Sequence, residues 1–111
     1  MPHFPLIERV MTASICNQLN LSAQLQALQA LRYTPAGVPA LDFEVLHLST
    51  QSEAGQARQT QFTLRAIVFG MLAEQLAKQP LGVQLQCQGF LAAGKNGKGL
   101  VYHLQSFESF F

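Results

Sequence analysis

Four stretches of the chain alternate apolar and polar side chains with a period of two, the pattern of strands that bury one face and wet the other. Over residues 40–50, Leu41, Phe43 and Val45 alternate with Asp42 and Glu44. Over 59–70, Phe62, Leu64, Ala66 and Val68 fall on one side, and Gln61, Thr63 and Arg65 on the other. Over 83–92, Val83, Leu85, Cys87, Gly89 and Leu91 form the apolar register and Gln84, Gln86 and Gln88 the polar one. Over 100–107, Leu100, Tyr102 and Leu104 alternate with Val101, His103 and Gln105.

Turn-forming residues separate these runs: YTPAGVP at 33–39, SEAGQAR at 52–58 and GKNGKG at 94–99. The last predicts a hairpin loop with Asn96-Gly97 at its tip, a pair that tolerates the positive φ of a tight turn. MLAEQLAK at 71–78 has neither Gly nor Pro and predicts a short helix, ending before Pro80. Residues 19–33 fit two patterns. Leu21, Leu25, Leu28 and Arg32 lie at helical spacing with Ser22 as a possible cap, and propensity favours the helix; Leu19, Leu21, Ala23, Leu25 and Ala27 also alternate as a strand does. With a strand there, the element order is β-β-β-α-β-β, the order of the OB-fold, a five-stranded, partly open Greek-key barrel.

A chain of 111 residues and 12.2 kDa has room for one domain, which excludes a two-domain enzyme. With 49% hydrophobic residues it can form a core and is no disordered tail. Charged residues are only 12% and the net charge is +1, so this is not a polycation; 14 glutamines supply much of the polar surface. The charge is uneven. Residues 1–53 carry Arg9 and Arg32 against Glu8, Asp42, Glu44 and Glu53, a balance of −2, whereas residues 54–107 carry Arg58, Arg65, Lys78, Lys95 and Lys98 against Glu74, a balance of +4. Gathered on one face the basic half makes an anion-binding surface; scattered, it is ordinary solvated exterior. Two cysteines, Cys16 and Cys87, cannot make a disulfide framework and have no metal-ligand spacing, and Cys87 reads as a buried, reduced thiol. The N-terminal residues hold no apolar run long enough for a signal sequence or a membrane span, and the expectation is a soluble, cytoplasmic protein.

NQLNLSAQLQALQALRYTPAGVPALDF at 17–43, HLSTQSEAGQARQ at 47–59 and QGFLAAGKNGKGLVYH at 88–103 resemble the primosomal replication protein N (PriB) family, small dimeric OB-fold relatives of the single-stranded-DNA-binding proteins. The resemblance runs from Asn17 to about Phe107, leaving 1–16 as an N-terminal extension to an OB-fold domain over 17–111. It implies an all-β, five-stranded OB barrel with a short helix between strands three and four, and a first long strand over 19–33. It also implies single-stranded DNA binding on a homodimer, contact with the restart helicase PriA, a place in handing over to DnaT, and no catalysis, cofactor or membrane. The family's final hairpin loop uses lysines for DNA, and Lys95 and Lys98 occupy that loop. A base-stacking tryptophan of the family falls at Gln61, a basic position at Leu48 and a loop aromatic at Gln56.

Single strands bind to OB barrels through cations along the phosphates and flat rings under the bases. Arg58 and Arg65, from the third-strand region, and Lys95 and Lys98 are the candidate cations, each with a solvated surface role as the alternative. Tyr33, Phe90 and Tyr102 are candidate platforms, each with core packing or a dimer contact as the alternative. Gly89–Lys95 fits G-x-x-x-x-G-K, but Asn96 follows where a phosphate loop needs Ser or Thr, and a strand rather than a helix comes next, so nucleotide hydrolysis is not expected. His3, His47 and His103 are isolated, with His47 expected to be hydrogen-bonded and partly buried; the carboxylates do not cluster into an acid/base pair. Two other readings remain: a protein adaptor that binds the helicase with weak DNA affinity, and an unrelated OB module for small ligands or oligosaccharides.

Overall fold

A computed structural model describes residues 15–110. The expected N-terminal extension lies, apart from Ile15 and Cys16, outside the described residues, as do His3 and the pair Glu8 and Arg9. Six strands and one α-helix follow in order, with a 3-10 turn at Lys95–Gly97 between the last two strands: β1 (Leu19–Leu28), β2 (Arg32–Tyr33), β3 (Pro39–Glu53), β4 (Gln56–Phe69), α1 (Met71–Ala77), β5 (Gln84–Ala93) and β6 (Leu100–Phe110). The β2 segment is a two-residue pairing with the start of β3. The five long strands and the helix are therefore those the OB order predicts, with α1 between the third and fourth long strands.

The strands close into a barrel. β1 pairs with β5, β5 with β6, β6 with β4, β4 with β3, and β3 returns to β1. Closure needs β1 to pair with two strands of the one sheet: it pairs with β5 from Leu19 to Gln24 and with β3 from Gln24 to Leu28, and the register slips between Leu25 and Ala27 where it crosses over. A bulge of this kind bends the strand and re-aims it. This is also why the first strand stops at Leu28 instead of running on to Tyr33 as expected. Its last rung is with Phe43, and the Gln29 amide then donates to the Asp42 carbonyl at 2.9 Å as the chain turns away.

The period-two residues meet inside. Leu21, Ala23 and Leu25 from β1, Leu41, Phe43 and Val45 from β3, Ala66 and Val68 from β4, Leu85 and Cys87 from β5, and Tyr102 and Leu104 from β6 form one buried cluster. Ala73 and Leu76 of α1, both 0% exposed, join it. Burial of each large side chain contributes about 1.5–3 kcal/mol. Tyr102 is wholly buried, and its hydroxyl donates to the Leu19 carbonyl at 2.6 Å, so the polar tip of a core ring is satisfied. Burial pushes the Tyr102 phenol well above its ordinary value and, with no charged partner involved, the Cys87 thiol up to about 11. Cys87 is thus the inert buried thiol that its register predicts.

Two glycine positions shape the β5–β6 hairpin. A Cβ on Gly89 would stand 2.1 Å from the His103 carbonyl oxygen and 3.0 Å from the Tyr102 ring. Only glycine lets β6 approach there, beside the irregularity between Gln88 and Gly89. At the other end, a Cβ on Gly94 would stand 2.3 Å from the Lys98 carbonyl oxygen, so the 94–99 loop closes tightly over that residue. Asn96 and Gly97 have φ of 61° and 70°, as a tight tip requires.

The β3–β4 hairpin is longer than the sequence pattern suggests. Its ladder runs unbroken from Ala40↔Phe69 to Glu53↔Gln56. SEAGQAR is therefore strand up to a two-residue turn at Ala54-Gly55, where φ is 52° and 77°. Leu64 packs against the core as expected, though only partly buried, whereas Phe62 is exposed, because this ladder extends past the barrel's other strands.

Candidate nucleic-acid interface

On the outer face of β3 and β4, residues left out of the core by the two-residue period point to solvent: Asp42 and Glu44 from β3, and Arg65 and Ile67 from β4. Beside them a hollow of about 830 Å³ opens between the two strands, the 94–99 loop and β6. Its polar lining is Arg32, Arg65, Lys95, Lys98 and His103, with Asp42 as its one carboxylate. Arg32 reaches it because β2 sets Arg32 opposite Ala40, and its Nε donates to Asp42 Oδ2 at 3.0 Å. Arg65 reaches it by lying over the loop glycines, its guanidinium about where a Cβ on Gly99 or Gly94 would be crowded, at 3.4 and 3.5 Å. Four cations from three separate parts of the chain thus converge on a hollow whose lining holds one carboxylate, already engaged by Arg32, while Glu44 stands opposite Arg65 on the same outer face.

An aromatic row continues from the hollow. His103 sits opposite Phe90 in the β5–β6 ladder and opposite Ile67 in the short parallel pairing of β6 with β4. The Phe90 and His103 rings stack at 4.9 Å and 13°, and Phe69 follows at 6.3 Å and 32° from His103.

The structure brings Arg65, Lys95 and Lys98 together at the hollow, and places Phe90 beside it through His103. It does not bring Arg58 there. Arg58 lies near the tip of the β3–β4 hairpin in an ion pair with Glu53, and seven residues from Arg65 along an unbroken strand it faces the opposite side. Tyr33 is 60% exposed on β2 and points away from its neighbour Arg32, outside the hollow's lining. Tyr102 is a core residue and offers no platform. Gln61 is exposed, in the register expected, and pairs directly with Leu48, which is 62% exposed. The positions matched to the family's tryptophan and to one of its cations are therefore cross-strand neighbours, and here both are uncharged and non-aromatic.

Arg32, Asp42, His103 and Phe69 were not singled out from the sequence as site residues. For His103 the signal was present: a hairpin closing at Ala93↔Leu100 sets position 103 against 90. His47 lies elsewhere, part-buried as expected. Its Nδ1–H donates to the Ser22 carbonyl at 2.6 Å, which leaves Nε2 of the neutral ring to accept from the Ser49 hydroxyl at 2.7 Å. The 94–99 loop leads into β6 and not into a helix, so the G-x-x-x-x-G-K match is no phosphate loop. Among the described residues no group of His, Cys, Asp and Glu could hold a metal ion, and no helix is long and apolar enough to cross a membrane.

A closed barrel of this strand order, with its helix between the third and fourth long strands, is an OB-fold of the kind found in single-strand-binding proteins. Residues 17–106 match the family described as another single-strand binding protein family. The replication restart protein PriB of Bordetella pertussis is 46% identical over 90 residues, covering 80% of this chain and 84% of that one. The crystal structure of PriB from Ralstonia solanacearum superposes with a TM-score of 0.79 at 37% identity, covering 86% of this chain and 98% of that one. The single-stranded DNA binding protein from Thermus aquaticus shares the fold, with a TM-score of 0.69 at 23% identity over 86% of this chain and 50% of that one. The chain belongs to the PriB family of replication restart proteins.

Proposed function

We propose that this protein is a non-catalytic, single-stranded DNA-binding component of replication restart, and that the strand crosses the hollow between β4, β6 and the 94–99 loop. The observation that carries this reading is the convergence of Arg32, Arg65, Lys95 and Lys98 around one carboxylate on the outer face of an OB barrel. Phosphates spaced along a strand take up cations grouped in this way, and the counterions they release drive binding. Lys95 and Lys98 flank the loop tip and act as phosphate contacts, Arg65 anchors the strand against the loop, and Phe90 lies under a base. Arg58, on the opposite side of β4, and Tyr33, turned away from Arg32, lie off this path.

Contact with the restart helicase PriA, a part in the step that involves DnaT, and a homodimer belong to the same proposal and rest on family membership. The dimer has structural support as well. From Leu19 to Ala23, β1 pairs with β5 on one edge and with no strand on the other among the described residues. An open edge of that length is a place where a twin strand adds. Sedimentation equilibrium at micromolar concentration then reports about twice 12.2 kDa.

The test of DNA binding is a fluorescence-anisotropy titration of a mixed-sequence oligonucleotide at several salt concentrations. With Lys95 and Lys98 both replaced by Ala, affinity falls uniformly across sequences and the log–log salt slope flattens by about 1.4, at roughly 0.7 per phosphate contact on a single strand. An unchanged slope means that the loop points away from the DNA. A second reading is favoured by the bare Leu48 and Gln61 pair: the barrel serves chiefly as an adaptor for the helicase and holds DNA weakly. Repeating the titration with the helicase present separates the two, since only an adaptor needs it for measurable binding.

A further inference from the structure

The Phe69–His103–Phe90 row lies on the outer face of the barrel, on three adjacent strands, and the core does not need it. Phe69 is 44% exposed, and Phe90 and His103 are only partly covered. Large rings left on a wetted face carry a hydration cost that a ligand with a flat apolar face removes. His103 belongs both to this row and to the lining of the cationic hollow, so the rings begin where the cations end. The directions also agree. Arg32, Ala40 and Phe69 stand on one rung across β2, β3 and β4, which puts Arg32 and Phe69 on the same face, with Asp42 and Ile67 on the next outward rung. A ligand that fits both halves is anionic at one end and a flat aromatic at the other, with the two joined by a short spacer. A nucleotide within a strand has that form.

We propose that this row is a base-stacking platform: a base of the bound strand caps the open ring face at the end of the Phe69–His103–Phe90 stack while its phosphate sits among Arg65, Lys95 and Lys98. His103 and Phe69 are the residues newly assigned a role, and the assignment rests on the reading that the hollow takes single-stranded DNA. Because every base has a π face, the platform adds affinity without sequence preference. It leaves the number of phosphate contacts, and hence the salt slope, unchanged.

The probes are a thymidine oligonucleotide and an abasic strand of equal length, titrated by anisotropy at fixed salt. The wild-type protein binds the base-bearing strand about tenfold more tightly than the abasic one, the size of effect that one stacked base gives. In His103→Leu and in Phe69→Ser that preference shrinks at least severalfold with the salt slope unaltered, whereas in the Lys95→Ala/Lys98→Ala variant the preference stays and the slope flattens. Phe69→Ser is the safer second variant because its ring is already well exposed, and the wild-type comparison needs no variant at all. Equal binding of both strands by the wild type overturns the platform and leaves DNA binding intact. A preference that survives both ring substitutions also overturns it, and places the stacked base elsewhere. No binding of either strand overturns the platform and the DNA reading together.

Discussion

Replacing Asp42 by Asn removes the one carboxylate in the hollow's lining while keeping its shape. The cost to the fold is small. The Arg32–Asp42 pair is 3.0 Å long, with its side chains 47% and 44% exposed, and ion pairs that wet contribute roughly 0–1 kcal/mol. The effect on DNA is opposite in sign. A carboxylate about 7 Å from a bound phosphate repels it by roughly 0.6 kcal/mol at the permittivity of water and roughly 2.4 kcal/mol at an effective value of about 20. Screening over a Debye length of about 8 Å reduces this to roughly 0.3–1 kcal/mol, which is about two- to fivefold in affinity. Arg32, released from Asp42, also becomes free to meet a phosphate, and one more contact steepens the salt slope by about 0.7. Anisotropy titrations between about 50 and 200 mM salt read both quantities, and a thermal melt reads the fold. Asp42→Asn is expected to melt close to wild type and to bind more tightly on a steeper slope. Weaker or unchanged binding by a folded variant would refute the idea that the strand runs over Asp42 and that its pairing with Arg32 holds affinity down.

Gln61→Trp puts a ring on the exposed outer face of β4 and is expected to strengthen single-strand binding about tenfold with little change in melting temperature or salt slope; if the variant is stable and affinity does not move, the strand does not cross this part of β4. Gly89→Ala forces a methyl onto the His103 carbonyl, where 2.1 Å is available, and is expected to cost at least about 1–3 kcal/mol in chemical denaturation; wild-type stability would show that the two strands are not so close in solution. The Cys87 thiol is pushed up from 9.0 to about 11, so it ionises first in the unfolded chain and its contribution to stability is fully present below about pH 9. It then falls by roughly 2–3 kcal/mol by pH 11 on account of this group. In denaturant melts across that range Cys87→Val should abolish the part of the decline that begins near pH 9, leaving the part that the raised Tyr102 phenol adds above pH 10.

The alternation in four stretches was enough to place every long strand but the first, and to sort Leu41, Phe43, Val45, Leu85, Cys87 and Tyr102 into the core. Residues 19–33 resisted because the first strand divides its length between two partners, β5 and β3. Its apolar residues satisfy a helical spacing as well as a strand's, and the bulge after Leu25 breaks the alternation at the point of crossover. No local pattern encodes that bend; it follows from the need to close the barrel. The long β3–β4 hairpin was hidden for another reason. Its outer half has polar residues on both faces, and period-two reading has no purchase where neither face is buried. The lysines of the 94–99 loop were legible from the loop itself. Arg32 and Asp42, ten residues apart, come together only through the β2–β3 pairing, and Phe69 reaches His103 only across the join of β4 with β6.

That join is the weakest line in the barrel. β4 and β6 run parallel there and share only two rungs, Ala66↔Tyr102 and Ile67↔His103, whereas the other long strands are held by longer antiparallel ladders. Arg65 stands on one side of the line, and Lys95, Lys98 and His103 stand on the other. A polyanion lying across the hollow therefore acts as a clasp over the barrel's one short seam. The opening it is expected to suppress is local, β6 parting from β4, and slowed amide exchange on both strands, with little change in the melting of the whole domain, is the measurement that checks it. The surface proposed to receive the strand thus lies over the line expected to open first, and a strand bound there would hold that line shut.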